Sequence, residues 1–265
     1  MSKPLFKAEI RANYKLLILF IAVITLYASI IITMFDPELG TGINALAESM
    51  PEYFALFGMQ NPGVTLLDFI INYLYGFILL IIPFIYIIIM CFKLVAKYID
   101  KGSMSYLLNT NYSRKEIIMT QASVLLFGVL ILVLYAALLI IFCSHFMFKG
   151  ELDISKFIIL NIGLLFLEFF LAALCFMFAC LFNEIKYSIG MGAGLGLIFF
   201  LVQMLSQVSD DISFLKYFTP LSLFTPNQIV DYDVVAFLNI GILGALAIIF
   251  FITALQGFKY KDLSL

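Results

Sequence analysis

FIINYLYGFILLIIPFIYIIIMCF, residues 69–92, decides the fold class of this chain. These 24 residues include no charged side chain, and about 20 helical residues are enough to cross the hydrocarbon core of a bilayer. The whole sequence has the same character, because 64% of its residues are apolar, only 12% are charged and the mean hydropathy is +1.11. Water-soluble domains are nearer half apolar and a quarter charged. The composition therefore predicts a membrane protein.

Five further apolar runs accompany this stretch. The six predicted spans cover residues 16–35, 69–92, 122–143, 157–182, 188–205 and 234–255. Continuous runs of this length exclude a transmembrane barrel, whose strands alternate apolar and polar residues. No internal repeat and no soluble module long enough to bury its own core interrupts them. We predict an all-α integral membrane protein with six transmembrane helices in a single domain, residues 1–265.

Basic residues are unevenly distributed between the predicted loops. Four precede the first span, five lie between the second and third, one lies between the fourth and fifth, and two follow the sixth, whereas the loops on the other side hold three. Lys and Arg accumulate in cytoplasmic loops, so both termini and the long segment after the second span are predicted to be cytoplasmic. The predicted location is the plasma membrane of a bacterium, as a multi-pass protein.

Two segments outside the spans predict short helices. Residues 3–15 carry basic residues four apart on one face, which is typical of an amphipathic helix in the inner interface, although a basic tail that only sets orientation gives the same pattern. SDDISFLKYFTPLSLFTPNQIVDYD, residues 209–233, is too apolar for a solvated loop and too broken for a span. It predicts two short re-entrant helices in the outer leaflet, separated at Pro220 and Pro226.

Residues suited to catalysis are scarce. No G-x-x-x-x-G-K-[ST] loop is present, so the chain has no phosphate-binding loop of its own. His145 is the single histidine, too few for an H-E-x-x-H zinc site. The cysteines lack metal-ligand spacing and are predicted to be buried apolar fillers: Cys91, Cys143, Cys175 and Cys180. We predict that the chain is not an enzyme, holds no cofactor and has no nucleic-acid partner.

Three polar residues within the spans are candidates for a translocation path. Glu168 is the only unambiguous carboxylate in mid-span, where an acid is costly unless it faces a cavity or a partner. A structural hydrogen bond to Asn161, seven residues earlier on the same helical face, is the competing interpretation. Asp68, at the outer entrance of the second span, and Asn72 are the other path candidates.

Small residues and one proline predict close helix packing or bending. In SIGMGAGLG, residues 188–196, Gly190 and Gly194 are four apart, as are Gly192 and Gly196. Each pair gives a small surface that allows a neighbouring helix to approach closely, and a hinge in a transport cycle is the alternative. Pro83 is expected to kink the second span.

KGSMSYLLNTNYSRKEIIMTQ, residues 101–121, is a polar, basic and turn-rich insert between the second and third spans. Gly102 is expected to end the helix that continues from the second span. Ser113, with Glu116 three residues later, predicts a capping box that begins the next helix. The apolar face of a short helix between these signals consists of Met104, Leu107 and Leu108. Such a helix, lying crosswise at the cytoplasmic surface, is suited to receive mechanical force from a partner protein. An ordinary basic loop is the alternative.

The order of these motifs resembles that of type-2 permeases of ATP-binding-cassette exporters. GSMSYLLNTNYSRKEI resembles the family's segment after the second span, through Gly102, Ser103, Leu107, Leu108, Ser113, Arg114 and Lys115, although Asn111 stands where the family commonly has proline. FKYKDL, residues 258–263, resembles the family's ending. FLKYFTPLSLFTPNQIV, residues 214–230, resembles its paired re-entrant helices. The resemblance covers nearly the whole chain.

The resemblance implies a permease that pairs with a second copy or a paralogue and with a cytoplasmic ATPase subunit, which binds ATP and magnesium. The insert is then the coupling helix, formed by Gly102, Ser103, Met104, Leu107, Leu108 and Arg114. The expected substrate is an amphipathic or antimicrobial peptide, a toxin, a drug or a lipid. The alternatives are an ATP-independent, proton-coupled carrier or channel that uses Glu168, and a membrane scaffold.

Overall fold

Helices form all the regular structure in the part of the chain that the computed structural model describes, which comprises residues 2–35, 49–56, 65–100, 102, 104, 112–208 and 210–261. Six of these helices are long and apolar enough to cross a membrane. They are α1 (Lys3–Thr33), α2 (Leu66–Asp100), α3 (Arg114–Met147), α4 (Ile154–Leu181), α5 (Ile185–Ser206) and α6 (Val234–Tyr260). The predicted all-α protein with six spans is confirmed.

α1, α2 and α3 are longer than a bilayer core requires. α1 has 31 residues, α2 has 35 and α3 has 34, which is about 46–53 Å each at 1.5 Å per residue, whereas the hydrocarbon core is about 30 Å thick. α1 runs unbroken through residues 3–15, so the expected separate interfacial helix is wrong: this segment is the first part of α1. It continues the axis of α1 because its buried face, with Glu9 and Asn13, packs onto the bundle.

α4 is the central helix of the bundle. It packs against α2, α3, α5 and α6, and its buried residues lie all round the helix. The rings of Phe170 and Phe176 lie 5.7 Å from those of Phe250 and Phe251 on α6. α1, α5 and α6 are the least buried of the six, and their outward side chains are apolar, as suits a surface that faces lipid.

α2 departs from α-helical hydrogen bonding in two places. Residues Ile71–Tyr75 and Phe92–Ala96 form short π-helices, with a turn after the first. Between them Ile78–Cys91 is α-helical and continues through Pro83, so the irregularities lie on both sides of the proline where the sequence predicted a kink. Proline has no N–H, so the carbonyl of Leu79 lacks its usual helical donor.

Three short helices connect α5 to α6. Two are 3₁₀-helices, Asp210–Phe218 and Pro220–Leu223, and the third is the α-helix Pro226–Val230. The predicted separations at Pro220 and Pro226 are confirmed, because each proline begins a helix, where a missing N–H costs nothing. The sequence predicted two short helices, and the structure has three, because the residues before Pro220 also form a 3₁₀-helix. Thr219 ties this segment to α5 by donating to the carbonyl of Phe199 at 3.1 Å.

Both described ends of the chain lie at the end of the bundle that carries the insert. The Ser2 N–H donates to Thr120 Oγ1 of α3 at 2.9 Å, and Lys261 contacts the C-terminal end of α4. We call this end of the bundle the insert end. Its location in the cytoplasm stays a prediction from the basic residues.

Candidate functional site at the insert end

The boundaries of the insert follow the sequence signals. Gly102 has a left-handed φ of 65°, which ends the helix, and its N–H donates to the Ile99 carbonyl at 3.0 Å. The Glu116 N–H donates to Ser113 Oγ at 3.2 Å, and the Ser113 N–H donates to Glu116 Oε2 at 3.0 Å. This reciprocal pair is the predicted capping box, which is confirmed.

The interior of the insert is only partly described. Met104 is 1% exposed and belongs to the hydrophobic core of the chain itself. Its predicted place on a docking face is therefore wrong, because the side chain anchors the insert to the bundle. The predicted docking residues Ser103, Leu107 and Leu108 lie outside the described residues.

Asp100, the last residue of α2, caps the start of α5. Its Oδ1 accepts a hydrogen bond from the Ile185 N–H at 3.3 Å. The N-cap residue of α5, Glu184, makes no side-chain hydrogen bond of this kind. A carboxylate suits this place because the first N–H groups of a helix are unpaired and carry partial positive charge. One flank of the insert is thereby bound to the fifth spanning helix.

Lys261 caps the end of α4 in the complementary way. Its Nζ donates to the carbonyls of Cys180 at 2.9 Å and Phe182 at 2.6 Å, where α4 has no basic residue of its own in the last turn. Arg114, the first residue of α3, donates from Nη1 to the Lys261 carbonyl at 2.8 Å. α3, the other flank of the insert, is therefore hydrogen-bonded to Lys261 after α6. Lys261 is in turn hydrogen-bonded to the end of α4.

Glu9 joins α1 to both flanks. Its Oε1 accepts from Gln121 Nε2 of α3 at 3.0 Å and from the Tyr98 hydroxyl of α2 at 3.4 Å. The side-chain amide of Asn13 donates to Glu9 Oε2 at 3.4 Å and to the Glu9 carbonyl at 2.9 Å. Glu9 is 5% exposed and Gln121 is fully buried, so this contact lies inside the bundle, although Gln121 Oε1 has no partner among the described residues.

Together these contacts form a set of three separate hydrogen-bonded groups at the insert end. We call it the junction, and its members are Glu9, Tyr98, Asp100, Arg114, Gln121 and Lys261. Through it the two helices that flank the insert are hydrogen-bonded to α1, to α5, to the end of α6 and, through Lys261, to α4. Burial lowers the pKa of the Lys261 amine to about 8. Among the described residues, no three His, Cys, Asp or Glu side chains are placed to hold a metal ion.

Glu168 lies far from the junction, in the middle of α4. It is fully buried, and neither carboxyl oxygen has a hydrogen-bond partner among the described residues. The alternative hydrogen bond to Asn161 is wrong, because neither Glu168 oxygen has a partner among the described residues. Asn161 instead accepts from the Tyr75 hydroxyl at 2.9 Å and donates to the Phe157 carbonyl at 2.8 Å. Glu168 is thus enclosed by the bundle and has no hydrogen bond to any residue that the structure describes.

The other two path candidates lie at the opposite end of α2. Asp68 forms a capping box with Thr65, whose Oγ1 donates to Asp68 Oδ2 at 2.6 Å and accepts from the Asp68 N–H at 3.2 Å. The Asn72 side-chain amide donates to the Asp68 carbonyl at 2.9 Å. Both residues therefore contribute hydrogen bonds to the irregular start of α2, and their place in a translocation path stays a prediction.

The four glycines of α5 divide into two pairs. At Gly192 an added Cβ would lie 3.1 Å from Cys175 Cα of α4, and at Gly196 it would overlap the Phe84 ring of α2. This pair gives the predicted close packing. Gly190 and Gly194 have open space where a side chain would project, so they make no such contact within the described chain. The helix is continuous through all four residues.

Sequence reasoning did not select most of the junction. Glu9 stands among basic residues that were interpreted as setting orientation, and Lys261 was counted in the same way. One available signal was the spacing of Glu9 and Asn13, which are four apart on the face opposite the basic residues. Asp100 and Gln121 offered no signal, because their partners are distant in sequence.

The chain matches no protein-family model, and neither a search of curated proteins nor one of solved structures finds a match. The resemblance to exporter permeases therefore stays a prediction from the motifs.

Proposed function

We propose that this chain is the transmembrane subunit of an ATP-driven exporter, in which the insert receives motion from a separate cytoplasmic ATPase. The junction is the observation that supports it. The flanks of the insert are bonded to α1 through Glu9, to α5 through Asp100 and to the end of α6 through Arg114. A force on the insert would therefore reach all six spanning helices without passing through a flexible loop.

The type of bond at the junction suits this task. Two contacts place an opposite charge at a helix end, Asp100 at the start of α5 and Lys261 at the end of α4. Charge-assisted hydrogen bonds of this kind are roughly twice as strong as neutral ones. α4 and α5 are joined by a short turn, so these two contacts hold both sides of that turn. Movement of the insert would displace α4 and α5 as a unit.

The remaining parts of the proposal follow the resemblance. ATP and magnesium would bind to the partner, and the translocation path would lie between this chain and a second copy or a paralogue. Acidic outer loops and numerous Phe and Met residues favour an amphipathic, cationic peptide as the exported substrate, with the bacterial plasma membrane as the site of action.

Co-purification in mild detergent tests the proposal. Wild-type protein extracted from its own host is expected to bring down an ATPase, and a Leu107→Asp/Leu108→Asp variant that still elutes as a folded, monodisperse species is expected to lose it. Tyr217→Asp is the matched control, because Tyr217 is 80% exposed in the segment at the opposite end of the bundle. Wild-type protein that brings down no ATPase would contradict the proposal.

Glu168 supports a second candidate, an ATP-independent carrier coupled to protons. A fully buried carboxyl without a hydrogen-bond partner is a group that proton-coupled carriers use. Proton uptake by vesicles that contain the purified chain alone, abolished in Glu168→Gln, would favour this carrier over the exporter. Absence of uptake in the wild type would exclude it.

A further inference from the structure

Glu168 and Pro83 lie at the same depth on two adjacent helices. Two contacts fix the register of α2 against α4: Tyr75 donates to Asn161 at 2.9 Å, and Cys91 lines one crevice together with Cys175. Pro83 is midway between Tyr75 and Cys91, and Glu168 is midway between Asn161 and Cys175. α2 and α4 run in the same direction, so Pro83 and Glu168 lie at the same height along the bundle.

The spacing of residues along α4 places Glu168 on the helix face that contacts α2. Asn161, Glu168 and Cys175 are spaced by seven residues, which returns nearly the same face of an α-helix. The first and last of them contact or adjoin α2. The buried carboxyl therefore faces the part of α2 in which proline has removed a backbone N–H and left the Leu79 carbonyl without its helical donor.

The described parts of α2 to α6 place no counter-charge at this depth. Away from the span ends, the ionisable side chains of the neighbouring helices are Tyr73, Tyr75, Tyr86 and Cys91 on α2, Tyr135 and Cys143 on α3, and Cys175 and Cys180 on α4 itself. Tyr75 is bonded to Asn161, and Tyr135 faces α1 through Thr25 at 2.7 Å. α5 carries no ionisable side chain after Tyr187, and α6 carries none before Lys259. Among the described residues, no cation or hydrogen-bond donor is placed to pair with a carboxylate at Glu168, whereas a neutral acid needs a partner for only one O–H.

We propose that Glu168 is a proton-binding site of the bundle, which holds its proton while α2 is packed on α4 and gives it to water when the two helices separate near Pro83. In that step the O–H bond of Glu168 breaks, the electron pair stays on the carboxylate, and a water molecule takes the proton. The ligand is a proton and the co-reactant is water. The proposal applies to an exporter and to a carrier alike, because it rests only on the packing of these helices.

Linkage gives the direction of the pH effect. The packed form holds one proton that the separated form releases at any pH above the range in which an exposed glutamate ionises. Each unit of rising pH therefore favours the separated form by about tenfold. Acid stabilises the packing of α2 on α4, and alkali weakens it.

Infrared spectroscopy of the purified protein tests the proposal. At neutral pH the wild type is expected to show the carbonyl stretch of a protonated carboxylic acid, and Glu168→Gln is expected to lose it. Identical spectra for the two proteins would overturn the proposal.

A second measurement needs no variant and so remains informative if Glu168→Gln fails to fold. Apolar carbodiimides react with protonated carboxyl groups in apolar surroundings. Peptide mass mapping of the labelled wild type is expected to find the adduct on Glu168 and none on Glu9, whose carboxylate accepts three side-chain donors. An unmodified Glu168, or equal labelling of both, would overturn the proposal. Neither readout involves an ATPase, so failure here is distinct from failure of the proposed function.

Discussion

Two buried glutamates of this protein have opposite surroundings. Glu9, at the insert end, is 5% exposed and accepts hydrogen bonds from the side chains of Asn13, Tyr98 and Gln121. Glu168, in the middle of the bundle, is fully buried and has no partner among the described residues. A glutamate thus links three helices by hydrogen bonds in one region, whereas in the other region a glutamate interrupts an apolar interface.

The difference shows that a buried polar side chain can have two opposite effects on stability. A buried group that is bonded stabilises the contact it belongs to, while removal of its partner leaves a costly unpaired atom. A buried group without partners destabilises the fold, so its retention points to a role other than stability. We therefore assign Glu9 to the hydrogen bonds of the junction, and Glu168 to the proposed proton-binding site.

Replacement of Glu9 and Glu168 by leucine is expected to give the largest difference in stability between the two regions. Glu9→Leu should lower the free energy of unfolding by about 3 kcal/mol, because Gln121 and Asn13 lose their acceptor inside the bundle. Glu168→Leu should leave it unchanged or raise it by about 1 kcal/mol, because an unpaired acid is replaced by an apolar side chain of similar size. Chemical denaturation in detergent measures both. Equal losses in the two variants would contradict the comparison.

The tight packing around the middle of the bundle can be tested at α5. Gly196→Ala should destabilise the protein by about 1–3 kcal/mol, because the added methyl group overlaps the Phe84 ring and overpacking carries a cost of that order. Gly194→Ala is the matched control, with open space at its Cβ, and should change stability by less than about 0.5 kcal/mol. Thermal unfolding followed by intrinsic fluorescence compares them. A tolerated Gly196→Ala would contradict the tight packing of α5 on α2.

The hydrogen bonds of the junction can be tested at Lys261, which lies at its edge. Lys261→Met removes the two hydrogen bonds to the end of α4 and should lower stability by about 1–2 kcal/mol. Lys259→Met, two residues earlier in the last turn of α6, is the control, because that ammonium group lies over the neighbouring Tyr260 ring at 5.1 Å and holds no other helix. Similar melting temperatures for the two variants would contradict a stabilising role for the Lys261 contacts.

The smallest expected effect is the pH dependence of the same contact. The pKa of the folded Lys261 amine is about 8, below its ordinary value of 10.5, so the unfolded chain binds more protons between these two values. Stability contributed at this position should therefore be lowest below pH 8 and rise from about 8 toward 10.5. The difference in stability between wild type and Lys261→Met, measured across that range, gives the sign. A decrease with pH would contradict the assignment.

The sequence predicted the parts of the fold that depend on local pattern. Apolar run length located all six spans, Gly102 ended α2, and Ser113 with Glu116 began α3. It did not predict the π-helices of α2 or the continuity of α1, because both result from packing against other helices. Burial of Met104 was also beyond prediction, since an apolar residue in an insert serves equally as an anchor or as a docking contact.

The candidate site was predicted only in outline. The position of the insert and the importance of Glu168 were visible in the sequence, because polar residues in apolar surroundings are conspicuous. The bonds that give the insert its connections were not visible: Arg114 contacts a residue 147 positions away and Gln121 one that is 112 positions away. Hydrogen bonds of that separation follow from the assembled bundle and leave no pattern in a single sequence.

Photo-crosslinking in native membranes tests the central claim most directly, which is that the insert is where a separate ATPase docks. A photo-reactive amino acid is placed at Leu108 and, as the control, at Tyr217 at the opposite end of the bundle. Position 108 is predicted to capture a protein that carries a G-x-x-x-x-G-K-[ST] loop, and position 217 is predicted to capture none. Failure to capture such a protein at position 108, or equal capture at both positions, would contradict the account.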